Sequence, residues 1–137
     1  KQIESIDLLL KQSTFVSLHV PYNKHTHHLI SEQQILRMKR GSYLLNASRG
    51  KVVDVNAAAK YLKNGYLGGA YFDVFPEEPI TKNCVLINCP NTNLSPHVGG
   101  STIEAQQNIG IEVAQKLVNY IEYGSTKDAV NIPQIEV

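Results

Sequence analysis

Apolar residues along the chain alternate between short runs rich in β-branched and aromatic side chains and longer stretches in which they recur every three or four positions. That alternation predicts an α/β protein on a mainly parallel sheet, because parallel strands need a crossover, usually helical, between them. The run Thr14-Phe15-Val16-Ser17-Leu18-His19-Val20 reads as a buried strand stopped by Pro21, which has no N–H to give to a ladder. Ser42 to Ala47 reads as a second strand. Leu67 to Val74 reads as a third, with Gly68 and Gly69 allowing another backbone to come close, and Thr92 to Ser95 as a short fourth ended by Pro96.

Helices fill the intervals. The first, Ser5 to Lys11, is too brief to stand alone. Ser31 and Gln34 form a capping box for the second, with Ile30 and Ile35 at the spacing of a hydrophobic staple. Lys39, Arg40 and Gly41 supply basic residues for its negative end and a residue free to turn left-handed. Asp54 caps a third helix, Val55 to Lys63, which ends at Asn64-Gly65. The longest runs from a Ser101/Glu104 capping box to Gly124, with Ile109, Val113, Leu117 and Ile121 in one stripe widened by Ala114 and Val118. Within Ser125 to Val137, the run Ala129-Val130-Asn131-Ile132-Pro133 reads as an edge strand of a different layer. A boundary is expected near Gly100 to Ser101, giving units 1–100 and 101–137.

Composition narrows the partners. The 137 residues are 42% hydrophobic and 18% charged, which suits a packed core rather than disorder. Thirteen Lys and Arg against twelve Asp and Glu leave +1, so no single-sign field points to nucleic acid or an anionic membrane. Apolar runs such as Ile6 to Leu10 and Cys84 to Ile87 stop well short of the roughly 18 to 20 residues of a membrane-spanning helix. Two cysteines, Cys84 and Cys89, are too few for a disulfide scaffold and suit small core positions in a reducing cytoplasm. The opening Lys-Gln-Ile-Glu has neither an initiator Met nor the layout of a signal peptide, so the chain reads as the interior of something longer.

In parallel α/β sheets ligands bind outside the carboxyl ends of the strands. The segments that follow the predicted strands carry His19-Val20-Pro21, Asn46-Ala47-Ser48-Arg49-Gly50, Asp73-Val74-Phe75-Pro76-Glu77-Glu78-Pro79, and Pro96-His97-Val98-Gly99-Gly100. Arg49 offers a fork of donors for a planar carboxylate, which Lys cannot reproduce. His97 is of the type that most often serves as general acid or base, and a nearby Glu, here Glu78, would fix its tautomer. Asp73, expected at the sheet's edge, would accept a hydrogen bond from a cofactor amide. Taken singly each has a blander reading: Arg49 as a partner of Asp54, Glu78 as a loop terminator, His97 as a turn histidine. His25, His27 and His28 lack flanking acidic or cysteine ligands, so no metal is expected there.

In combination, Gly41 to Gly50, Asp73 to Pro79 and Ser95 to Thr102 resemble the D-isomer-specific 2-hydroxyacid dehydrogenases. Glu104-Ala105-Gln106, Gly124-Ser125-Thr126 and Ala129-Val130-Asn131 narrow the resemblance to one branch. It implies part of a Rossmann-like doubly wound parallel sheet, with the long helix returning to a second, substrate domain. It also implies NAD as cofactor, a small-molecule 2-hydroxy acid as substrate, and a homo-oligomer, dimer or tetramer, as the full-length protein. By the same matching Arg49 would bind the substrate's carboxylate or carbonyl oxygen, Glu78 rather than Glu77 would pair with His97, and His97 would take the hydroxyl proton as hydride leaves for nicotinamide. His19, Ala47, Ser48, Arg49, Asp73, His97, Val98, Gly99 and Gly100 would line the cofactor. The family's Gly-x-Gly-x-x-Gly turn, with its acid about 20 residues on, is absent from these residues. Gly65 to Gly69 precede a strand instead of joining a strand to a helix. The expectation is therefore the C-terminal half of the cofactor domain plus the return segment, inactive by itself. Two alternatives stand beside it: a relative acting on glyoxylate or hydroxypyruvate, and a non-catalytic, dinucleotide-sensing corepressor.

Overall fold

A computed structural model describes residues 2–133, and the chain divides into two compact units, Lys1–Val98 and Gly99–Val137. In the first, α1 (Ile6–Gln12), β1 (Phe15–Leu18), α2 (Glu32–Arg37), β2 (Tyr43–Asn46), a 3-10 turn (Gly50–Val52), α3 (Val55–Lys63), β3 (Gly69–Phe72) and β4 (Thr92–Leu94) follow in order. All four strands are parallel and lie in the order β1-β2-β3-β4. The register sets Leu18 beside Asn46, Asn46 beside Phe72, and Phe72 beside Leu94, so the strands finish level with one another.

Alternation along the strands decides which face is buried. Val16, Leu18, Leu44, Ala70 and Phe72 join Leu10, Ile30, Ile35, Leu62 and Leu86 in the core. Phe15 and Tyr43 stack on the other face, ring centroids 4.9 Å apart, with Phe15 66% exposed. Helix placement follows the caps. Ser5 accepts from the Leu8 N–H, and Asp54 accepts from the amides of Asn56 and Ala57. Gln34 reaches back to the Ser31 amide at 3.3 Å. Across α2 and α3, one Glu32 oxygen accepts from Lys60 Nζ and from the Tyr61 hydroxyl, each at 2.7 Å. An Asp7–Arg37 ion pair ties α1 to α2.

The close approach predicted at Gly68 is present: a Cβ there would lie 2.4 Å from the Gly41 oxygen, and the Gly68 N–H donates to Ser42 at 2.8 Å. The elements are shorter than their sequence signals. α2 ends at Arg37 because Met38 turns extended and buries its side chain, so Lys39 and Arg40 fall beyond the helix. His19 and Val20 lie past β1, whose pairing stops with β2 at Asn46.

The second unit is built on α4 (Ile103–Tyr123). Its cap is Thr102, which accepts from the Ala105 N–H at 3.1 Å, in place of the expected Ser101. Gly124 ends it in the left-handed region, φ 68°. The stripe Ile109, Val113, Leu117, Ile121 is exposed along its length. The expected edge strand at Ala129–Pro133 does not form. The Ala129 amide donates to the Thr126 carbonyl and the Thr126 hydroxyl to the Pro133 carbonyl, so the segment closes on itself and leaves Val130 fully exposed. The rest of that predicted segment, residues 134–137, lies outside the described residues.

Candidate active site

Because the strands end level, the next residues of all four, His19, Ala47, Asp73 and Ser95, fall at one edge of the sheet's carboxyl end. The turn after β2 is organised by Asn46, which is fully buried. Its Oδ1 accepts from the Ser48 amide at 3.1 Å and the Ser48 hydroxyl at 2.8 Å, while its Nδ2 donates to the Arg49 carbonyl at 3.1 Å. This Asx turn keeps Ser48 inside and turns Arg49 outward. One guanidinium nitrogen, Nη1, donates to the Ser48 carbonyl at 2.6 Å, which leaves further donors of the fork for a ligand. Arg49 does not pair with Asp54, whose carboxylate caps α3.

Gly50 seats this turn against the loop after β3. A Cβ on Gly50 would lie 1.9 Å from the Phe75 carbonyl carbon and 2.4 Å from the Pro76 nitrogen, so no larger residue fits without moving that loop. On the loop, Glu78 Oε1 accepts from the Phe75 N–H at 2.9 Å and Oε2 meets His97 Nδ1 at 2.8 Å. The His97 contact, then the Phe75 amide, hold the Glu78 carboxyl below its ordinary range. With Nδ1 donating to the carboxylate, Nε2 is the basic nitrogen of the imidazole.

His97 has φ 57°, a conformation that non-glycine residues adopt rarely and at a cost. It is held there from below. The His97 N–H donates to the Ser95 carbonyl at 3.0 Å, and the Val98 N–H to Asp73 Oδ1 at 2.9 Å. The Ser95 hydroxyl donates to the same Asp73 oxygen at 2.5 Å. Asp73 follows an interior strand at the sheet's carboxyl end, is only 2% exposed, and braces the turn that carries His97.

Arg49, Glu78 and His97 come together on one cleft of about 290 Å³, with Tyr22, Lys51 and Phe75 also on its wall. Sequence reading missed Asn46, Tyr22 and Lys51. Asn46 had a signal, an Asn two residues before a Ser at a strand end. Tyr22 follows Pro21 directly, at another strand end. His19 Nε2 lies 2.8 Å from the Ser17 hydroxyl, and Ala47 is exposed at the end of β2. Gly99 and Gly100 open the second unit, where the Gly100 carbonyl accepts from Gln106 Nε2 at 2.5 Å. The His27 and His28 rings stack 4.0 Å apart. Among the described residues no three His, Cys, Asp or Glu gather as a metal site, and no helix is long and apolar enough to cross a membrane. Cys89 is buried in the core and Cys84 partly so; both are free thiols.

Residues 1–99 match the family model described as "D-isomer specific 2-hydroxyacid dehydrogenase, NAD binding domain". The chain belongs to this family. It is 50% identical over 139 residues to a D-3-phosphoglycerate dehydrogenase of Dictyostelium discoideum, covering 98% of this chain and 34% of the relative. A D-3-phosphoglycerate dehydrogenase of Haemophilus influenzae is 47% identical over 141 residues, covering all of this chain and 34% of the relative. Among solved structures, the D-lactate dehydrogenase of Aquifex aeolicus complexed with NAD and lactic acid superposes with a TM-score of 0.68 at 34% identity, covering 86% of this chain and 40% of that one. The chain spans about a third of the length of these curated relatives.

The strand-end residues fit the cofactor in the family's name. Ala47, His19 and His97 are all exposed where the strands end. Ser48 and Asp73 fit differently: their side chains are engaged inside the protein and shape the turns that carry Arg49 and His97.

Proposed function

We propose that these residues belong to an NAD-dependent D-3-phosphoglycerate dehydrogenase, oxidising 3-phosphoglycerate to 3-phosphohydroxypyruvate on the way to L-serine. In this reading residues 1–100 are the C-terminal half of the cofactor domain, and 101–137 are the crossover helix and return segment of the substrate-binding domain. The enzyme is cytoplasmic and homo-oligomeric, and takes a small-molecule 2-hydroxy acid rather than nucleic acid or membrane. The observation that carries the reading is the 2.8 Å contact between Glu78 and His97 on the same cleft as Arg49.

Each residue has a part in the chemistry. Arg49 grips the substrate carboxylate with its fork and fixes the hydroxyl-bearing carbon. His97 Nε2 takes the hydroxyl proton, and the Glu78 carboxylate stabilises the imidazolium that forms. NAD, when bound, supplies the hydride acceptor. His19, Ala47, the Ser48-Arg49 turn and the stretch from His97 to Gly100 would hold it, with Asp73 bracing the last of these.

The test is kinetic, on the full-length polypeptide that carries these residues. His97→Asn should lower kcat at least about a hundredfold, the usual contribution of a general base. Arg49→Lys, which keeps the charge but loses the fork, should raise KM for the hydroxy acid. A His97→Asn enzyme of ordinary activity would sink the assignment. Turnover of glyoxylate or hydroxypyruvate with none of 3-phosphoglycerate would move the protein to another branch of the family.

A further inference from the structure

Tyr71 stands in β3 between Ala70 and Phe72, whose side chains join the core, and so faces the opposite side of the sheet, half-buried. The register pairs it with Asn93, two residues before Ser95, and its hydroxyl meets the Ser95 hydroxyl at 2.8 Å. The Tyr61 and Tyr66 hydroxyls tie helices together, the first through Glu32 and the second through the Leu36 and Met38 carbonyls. That of Tyr71 leads toward the site instead.

Proton count fixes the direction of these bonds. A serine hydroxyl has one proton, and that of Ser95 goes to Asp73 Oδ1 at 2.5 Å. The Tyr71 hydroxyl is therefore the donor to Ser95. A hydroxyl that accepts a hydrogen bond is a better donor in turn, so the Tyr71 bond strengthens the one from Ser95 to Asp73. Asp73 is also pinned through its backbone, whose N–H donates to the Asn46 carbonyl at 3.0 Å. Its Oδ1 receives the Val98 N–H at 2.9 Å, next to His97 with its φ of 57°. A residue stays in that region only where its surroundings hold it, and a rotation there would carry the imidazole away from Glu78.

We propose that Tyr71 is a positioning residue: a directed chain of hydrogen bonds, from the Tyr71 hydroxyl through Ser95 to Asp73, holds the turn that carries His97 in its working conformation. This rests on the dehydrogenase reading above and adds to it a residue outside the cleft, on the far face of the sheet, that acts on the general base through two others.

The test is a double-variant cycle in the full-length enzyme that carries these residues. Tyr71→Phe keeps the ring and removes the hydroxyl, so a tyrosine that only packs would lose nothing. It should lower the single-turnover rate of hydroxy-acid oxidation about three- to tenfold, the scale of one hydrogen bond, and leave half-saturation by the hydroxy acid unchanged, since Arg49 stands on a different loop. Ser95→Ala should lower the rate at least as far, and adding Tyr71→Phe to it should change nothing more, because the chain is already cut. One readout needs no turnover: relative to the core strands, the Val98 amide should exchange its hydrogen faster in Tyr71→Phe than in wild type. A wild-type rate in Tyr71→Phe, or a fully multiplicative loss in the double variant, overturns the proposal and leaves the dehydrogenase reading standing. Should wild type oxidise no 2-hydroxy acid, that reading fails, and unchanged Val98 exchange in Tyr71→Phe would then overturn the chain of bonds as well.

Discussion

Glu78 is ionised below the ordinary carboxylate range because it accepts from His97 and from the Phe75 amide. A depressed folded-state pKa stabilises the protein fully above the unfolded value, about 4.3 for Glu, and the benefit is lost as pH falls through the lowered folded value. The difference in Tm between wild type and Glu78→Gln should therefore persist from neutral pH down to the ordinary carboxylate range and close only below it. Thermal unfolding across pH measures this, and a difference that already vanishes near pH 5 would contradict the bonding described. Arg49, Glu78 and His97 were legible in the sequence because each follows a strand whose end the pattern marks. Asn46 and Lys51 were not. Asn46 acts through hydrogen bonds made after the chain has turned, and Lys51 reaches the cleft only through the 3-10 turn that begins at Gly50. The bracing bonds of Asp73 to Ser95 and Val98 were not legible either, since they form only once β3 and β4 lie side by side.

The turn after β2 packs directly on the loop after β3 because Gly50 has no side chain. Gly50→Ala should cost about 1–3 kcal/mol, the usual cost of overpacking, and should also lower kcat, since Arg49 and Glu78 cannot both keep their places. Gly41→Ala is the control. Gly41 has open space around it but φ 79°, so alanine there should cost stability through backbone strain and leave kcat unchanged. Equal kcat in both variants would separate Gly50 from the site. The strands, α3 and the extent of α4 were legible because burial and capping are local signals. Two details were not. Ser101 and Thr102 are adjacent cap formers, and only the backbone decides between them. The apolar run at 129–133 has strand composition, yet a strand needs a partner, and within its unit the nearest hydrogen-bonding groups are the turn's own.

At the scale of the whole molecule, the level strand ends divide the labour. Under the proposed reading the described residues of the first unit supply the acid–base pair and the carboxylate grip, all in the loops after β2, β3 and β4. A dinucleotide also needs backbone amides around its pyrophosphate, the part that a glycine turn between a strand and a helix N-terminus plays. No Gly-x-Gly-x-x-Gly run occurs in the sequence. Expressed by themselves, these 137 residues should show no saturable NAD binding by calorimetry, while a polypeptide of the length of the curated relatives should bind it. The imidazole of His97 should nevertheless sense Glu78 in both, because that contact uses only residues 78 and 97. NMR of the His97 ring in wild type and Glu78→Gln reads this directly. Tight NAD binding by the 137 residues would mean that the strand-end loops anchor the dinucleotide without a glycine turn. Loss of the Glu78 effect in the short polypeptide would mean instead that the pair depends on chain beyond these residues.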